Sequence, residues 1–362
     1  MQLRPLSLRG GEREALLVSR LAALCLFLST IEFLIPKPLP FLRLGLANAP
    51  LILALNLVSP TGYLALCLIK TVGQAIISGT LFSYIFLFSA AGTASSAISM
   101  FMLSRLFRHH ISSIGISVAG ASASNAAQLL LARFLIFGES VMYMAPPILF
   151  AGLISGGVLG ALTGRYTDSS SWYKETLEGR WPPQHIDLLP PEVPQNRREE
   201  AIQRLKIPFS LLLAGFLLFS DSLLIKSVTT LCAAILLCIS GKKIRILPTI
   251  TITSGILFFN LLLPFGRVLA EPFGLPITEG ALYSGIKKAL VLEGMIFLSR
   301  WLLVHLPRLP GTVGALMGQT LAFLAYLTEH RSTVSRKHLV ASIDALMYGH
   351  DQVRPEHPYN PA

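Results

Sequence analysis

The chain has 362 residues, 52% of them hydrophobic and only 14% charged, with a formal net charge of +11. A soluble domain carries about a quarter charged residues. A mean hydropathy of +0.62 therefore excludes a soluble enzyme, a disordered chain and a disulfide scaffold. Apolar runs near the roughly 20 residues that cross a bilayer recur along the sequence. They predict an all-α, polytopic helical membrane protein with about ten transmembrane helices in two modules.

The first module covers residues 1–165, with predicted spans at 16–35, 45–59, 62–79, 82–104, 113–137 and 145–164. Its breaks are Pro36/Pro38/Pro40, Ser59-Pro60-Thr61-Gly62, Ser78-Gly79, Arg105 to His110, and Gly138-Glu139. The basic N-terminus leads into an apolar segment, as a signal peptide does. That segment holds Glu32 and ends in Ile35-Pro36-Lys37-Pro38 without a small-residue cleavage site, so it is read as a retained span. Residues 166–206 form a charged cytoplasmic linker with Trp172, Trp181-Pro182-Pro183 and Arg197-Arg198-Glu199-Glu200. The second module, 207–330, has predicted spans at 208–220, 222–240, 247–264 and 278–304. Its apolar segment 311–327 is read as interfacial or re-entrant. Residues 331–362 form a polar tail.

Basic residues give the orientation. Arg4, Arg9, Arg13 and Arg20 precede or open span one, and Arg105 and Arg108 follow span four. Arg165 and the linker follow span six; Lys242, Lys243 and Arg245 follow span eight; Arg308 follows span ten. This predicts a multi-pass protein of the cell membrane with a cytoplasmic N-terminus. Lys37 and Arg43 depart from the rule. The +11 excess is assigned to topology and the lipid bilayer, with no nucleic-acid partner.

Charged groups at bilayer depth cost about 2.5–3.5 kcal/mol on insertion scales, so those in the first module carry information. Glu32 lies near the outer end of span one, Lys70 near the middle of span three, and Arg133 in the outer half of span five. Asn48, Asn56, Gln74, Asn125 and Gln128 are uncharged companions. Lys70 and Gln74 share a helix face at i,i+4, and Asn125 and Gln128 share one at i,i+3. Two readings stand. One is an ion pair that only joins helices. The other is a polar ligand site made of Glu32, Arg43, Asn48, Lys70, Gln74, Asn125 and Gln128. The proline-stiffened loop 36–43 reads as a lid over such a site or as a tight connector.

Small residues recur at helical spacing: Ala15, Ser19 and Ala23 on span one, and Gly152, Gly156 and Gly160 on span six. Such stripes let helices approach closely. The stripe on span one serves either a subunit contact or internal packing. The four cysteines lie in apolar runs without metal-ligand spacing, and read as buried apolar residues. The sequence has no GxxxxGK[ST], HExxH or GxSxG. Its five aspartates are scattered, with no paired carboxylates to hold the magnesium of a diphosphate substrate. No catalytic residue, metal site or cofactor is expected, and the chain is read as a non-enzyme.

Residues 16–165 resemble the Gx transporter family, also labelled heptaprenyl diphosphate synthase component I. The resemblance is carried by Glu32 with Pro36 and Pro38, Leu44-Gly45-Leu46-Ala47-Asn48 and Lys70. Further along it is carried by Ser89-Ala90-Ala91-Gly92 with Met100, Gly115-Ile116-Ser117, Gly120, Asn125 and Gln128. Ser124 stands where that pattern has His. The family is similar to the six-helix S components of energy-coupling-factor importers. The resemblance implies a small-molecule site near the outer leaflet, closed by the first loop, and a subunit contact along Ala15, Ser19 and Ala23. Residues 207–310 resemble the T component more loosely, through Pro276-Ile277-Thr278-Glu279-Gly280, Gly285 and Ser299-Arg300. The Ala-Arg-Gly signatures of coupling helices are absent. Arg300, Arg308 and Arg331 remain as contact candidates.

These features predict a transport subunit that binds a small nutrient-like solute and couples to ATP-binding cassette ATPase subunits. The alternatives are a non-catalytic membrane subunit of polyprenyl diphosphate synthesis, and a ligand-free scaffold.

Overall fold

The computed structural model describes residues 10–33, 45–107, 110–181, 197–244, 246–271, 276–303, 311–333 and 338–349. The described chain is helical apart from one small hairpin. The first half holds α1 (Gly10–Phe33), α2 (Ala49–Ala54), α3 (Pro60–Ser78), α4 (Tyr84–Phe107), α5 (Ser113–Ala132), α6 (Val141–Ser169) and α7 (Ser171–Leu177). The second half holds α8 (Arg197–Phe219), α9 (Leu223–Ile239), α10 (Ile246–Leu261), α11 (Glu279–Leu302), α12 (Gly311–Glu329) and α13 (Leu339–Tyr348). The hairpin pairs β1 (Val268–Ala270) antiparallel with β2 (Ile277–Thr278) ahead of α11.

The helix ends follow from local chemistry. Ser59 caps α3 by accepting from the Gly62 amide at 3.1 Å, with Pro60 in the first turn. Glu14 on α1 accepts from the Ser59 amide at 2.8 Å and ties that corner to the first helix. Gly79 ends α3 at φ 70°, a left-handed conformation open to glycine. Ser112 and Ser170 cap α5 and α7 in the same way as Ser59.

Four stretches are long and apolar enough to cross a membrane: Gly11–Glu32, Pro60–Ser78, Tyr84–Phe107 and Ser113–Ser169. The last is α5 and α6, joined through a π-helical turn at Arg133–Phe137 and a 3-10 turn at Gly138–Ser140. The other described helices are too short or too polar, so the expected ten full-length spans are not reached among the described residues. The second predicted span, 45–59, is a 3-10 turn at Leu46–Asn48 followed by the six residues of α2. At 1.5 Å per residue, α2 rises only about 9 Å. The helices α8, α9 and α10 are apolar but short, and α11 carries Glu279, Lys287, Lys288, Glu293 and Arg300.

Three apolar cores organise the packing. The first joins α1, α2 and α3 to Trp172, Trp181 and residues of α12 and α13, including Met317, Phe323 and Met347. The second joins the start of α4, the end of α5 and the start of α6 to Ile256 on α10 and Ala289, Leu292 and Ile296 on α11. The third holds α8, α9 and the end of α11 together. Both α12 and α13 thus pack on the first half. Sequence reading had assigned them to the second module and the polar tail.

Candidate functional site

The inward faces of six segments meet in one polar cavity. Glu32 comes from the last turn of α1, and Asn48 precedes α2. Lys70 and Gln74 come from α3, Ser89 and Thr93 from α4. Ser124, Asn125 and Gln128 come from α5, and Ser155 from α6. The remaining lining residues are Gly45, Ala47, Ala121 and Gly152. The free space between them is about 40 Å³, little more than one water's share of the liquid, roughly 30 Å³.

Backbone geometry sets the two charged groups. Gly45, at φ 85°, turns its amide toward α1 and donates to Glu32 Oε1 at 3.3 Å. Lys70 Nζ donates to Asn48 Oδ1 across the same turn. Both charged side chains are buried, Glu32 at 4% and Lys70 at 2% exposure. Gln74 donates to Ser29 Oγ on α1. Asn125 Nδ2 donates to the Ile148 carbonyl at 3.1 Å, and Gln128 Nε2 donates to Ser124 Oγ at 3.1 Å. Glycine makes room for two of these amides. A Cβ at Gly152 would sit 2.0 Å from Asn125 Nδ2, and one at Gly92 would sit 2.2 Å from Gln128 Nε2.

Six of the seven ligand-site candidates thus lie on one cavity: Glu32, Asn48, Lys70, Gln74, Asn125 and Gln128. Arg43 lies outside the described residues. Two polar companions lie elsewhere. Asn56 donates to the Tyr173 hydroxyl at 3.4 Å. Arg133 pairs with Glu139 at 2.6 Å on the exposed surface. Four polar lining residues were not among the site candidates: Ser89, Thr93, Ser124 and Ser155. The i,i+4 spacing of Ser89 with Thr93 and of Ser124 with Gln128 carried the signal that had picked out Lys70 and Gln74.

Of the subunit-contact candidates, Ser19 and Ala23 are buried within the chain, and Ser19 Oγ donates to Gln319 Oε1 of α12 at 3.2 Å. The small-residue stripe of Ala15, Ser19 and Ala23 is thus on the helix that α12 packs against. Arg300 lies beside Gly79 at the end of α3. Arg308 is outside the described residues.

A second polar node lies where α6 meets α7. Buried Asp344 of α13 accepts from the Tyr166 hydroxyl at 2.8 Å, Ser170 Oγ at 2.5 Å and the Ser171 amide at 2.8 Å. Nearby, the Arg20 guanidinium lies over the Trp181 ring at 4.7 Å and over the Phe323 ring at 5.2 Å. It also donates to the Met347 carbonyl. Among the described residues no group of three or more His, Cys, Asp or Glu could hold a metal ion.

Residues 21–166 match the family model described as heptaprenyl diphosphate synthase component I. Residues 202–305 match a domain of unknown function, DUF8519. Neither match names an S or T component of an energy-coupling-factor importer. No curated protein and no solved structure matches the chain. The first match ends at the foot of α6, the second begins within α8, and both leave out α12 and α13.

Proposed function

We propose that this chain is a non-enzymatic membrane subunit whose first half, residues 1–165, holds a small polar solute between its helices. One observation carries the reading: ten polar side chains line a single cavity inside an otherwise apolar helical bundle. Desolvating that many groups costs free energy at each imperfectly paired atom. Joining helices asks for one or two such contacts. In the sequence reading, uptake follows by coupling to a separate ATPase through the second half, residues 207–330, with the linker 166–206 between.

The test is the content of the protein as purified. Mild-detergent extraction followed by denaturation and mass spectrometry should release a polar small molecule from the parent chain. Glu32→Ala, Lys70→Ala and Gln128→Ala should each reduce it. Equal content in all four proteins would overturn the assignment.

A second reading is favoured by the description of the family matched over 21–166. It makes the chain a non-catalytic membrane subunit that works with a prenyltransferase in polyprenyl diphosphate synthesis. The match supports this partner more directly than it supports an ATPase, because neither matched description names a transporter. Co-expression with a catalytic prenyltransferase decides between the two. Synthase activity that neither chain shows alone would replace the transport reading.

A further inference from the structure

We propose that Glu293 is a proton-binding site inside the second half of the chain, a carboxylic acid held neutral between α10 and α11. The site lies apart from the polar cavity and rests on neither reading of the function.

The position is set by α11. Glu293 is only 6% exposed. One turn before and after it stand Ala289, Ile296 and Phe297, all buried. Ala289 and Ile296 belong to the second apolar core, and Phe297 to the third. The carboxyl group thus sits where the two cores meet. Its Oε2 accepts from Thr249 Oγ1, in the first turn of α10, at 3.3 Å. Its Oε1 is enclosed and has no hydrogen-bond partner among the described residues.

The ionisable groups on the neighbouring elements have other contacts. Neither α10 nor β2 carries one. On α9, Lys226 donates to the Leu217 carbonyl, Cys232 packs on the third core and Cys238 is exposed. On α8, Lys206 lies over the Trp301 ring at 5.4 Å. On α11 itself, Lys287 pairs with Asp221 at 3.4 Å, and Lys288 donates to Asn260 Oδ1 at 2.7 Å. Arg300 acts on Glu293 from two turns along the same helix, a rise of about 10 Å. Arg245 and the side chains of 197–205 lie outside the described residues.

The chemistry follows from burial. An ionised carboxylate with a single neutral hydrogen bond is costly in an apolar core, and the group takes up a proton instead. A proton on Oε2 donates to Thr249 Oγ1 along the same contact. Oε1 is then a neutral carbonyl oxygen, which tolerates poor pairing better than a charged one. Ionisable groups inside membrane proteins mark proton relays and ion paths, and Glu293 gives the second half such a group. Release of the proton requires water at the carboxyl group, and so requires α10 to move off α11. Proton loss and the separation of these two helices are thereby one event.

The test is made on full-length protein in detergent at about pH 7, where well under one per cent of glutamates in water carry a proton. Infrared spectra should contain the carbonyl band of protonated carboxyl groups. Glu293→Gln should reduce that band by one carboxyl and leave the melting temperature no lower than the parent's. If this variant does not fold, Thr249→Val takes its place and should shift the band to higher frequency, because the acid loses its hydrogen-bond partner. Dicyclohexylcarbodiimide is an apolar reagent that adds the O–H of a carboxylic acid across its C=N bond. Read by peptide mass spectrometry, it should label Glu293 at least about tenfold more than the exposed Glu271 and Glu279. A band unchanged in both variants, or labelling of Glu293 no greater than that of Glu271, would overturn the proposal and leave Glu293 an ionised group paired with a cation.

Discussion

The backbone amide of Phe82 donates to the side-chain oxygen of Ser299 at 3.1 Å. Beside it, Gly79 packs on Arg300. Loop charges placed Phe82 in an outer turn and Ser299 at the cytoplasmic end of a span. The contact joins them, and the second core joins the same end of α4, α5 and α6 to the middle of α10 and α11.

This junction should be sensitive to one methyl group. Gly79 has φ 70°, and a Cβ there would lie 2.6 Å from Arg300 Cγ. A left-handed non-glycine residue costs about 1–2 kcal/mol before any clash. Gly79→Ala should lower the melting temperature in detergent, and Ser299→Ala should cost about 1 kcal/mol by taking the acceptor from the Phe82 amide. Thermal unfolding of both variants checks this. Unchanged melting in both would mean the halves do not meet there.

The seam between α5 and α6 offers a paired test on neighbouring glycines. A Cβ at Gly160 would lie 2.5 Å from Ile114 Cα, whereas one at Gly157 meets nothing within 4 Å. Gly160→Ala should cost about 1–3 kcal/mol, as overpacking does. Gly157→Ala should be neutral or slightly stabilising through helix propensity. Similar melting of the two variants would contradict the packing described here.

Asp344 holds the C-terminal helix. Replacing it with alanine orphans the Ser170 and Tyr166 hydroxyls, at about 1–3 kcal/mol for each buried group. Asp344→Ala should free α13, expose the buried Trp172 and Trp181, shift tryptophan emission to the red and open 338–349 to protease. Retained protection would show that Arg20 and the apolar contacts suffice without the carboxylate.

The same region should loosen in alkali. Burial raises the pKa of Tyr173, against the smaller opposing effect of its hydrogen bond from Asn56. Burial, followed by the hydrogen bond to Glu175, raises that of Tyr348. A phenol whose folded pKa is raised contributes stability that is fully present below its unfolded pKa, about 10. That contribution is lost as pH rises beyond it, because the unfolded chain releases the proton first. Tryptophan emission followed from pH 8 upward should stay level and then change above about 10. Tyr348→Phe should blunt the change, and a pH-independent signal would contradict the linkage.

The sequence by itself determined the all-α class and picked out six of the polar residues that line the cavity. These depend on local spacing. Lys70 with Gln74 and Asn125 with Gln128 share faces by helix geometry alone, and charge inside an apolar run is costly enough to mark itself. Tertiary structure alone decided that residues 45–59 make a turn and a six-residue helix, that Arg133 pairs with Glu139 on the surface, and that α12 covers Ser19 on α1. It also placed Phe82 against Ser299, 217 residues apart. None of these follows from periodicity. A run of apolar residues states only that a segment leaves water, and which surface takes it in is settled by shape: glycine where backbones touch, and Gln319 where Ser19 needs an acceptor.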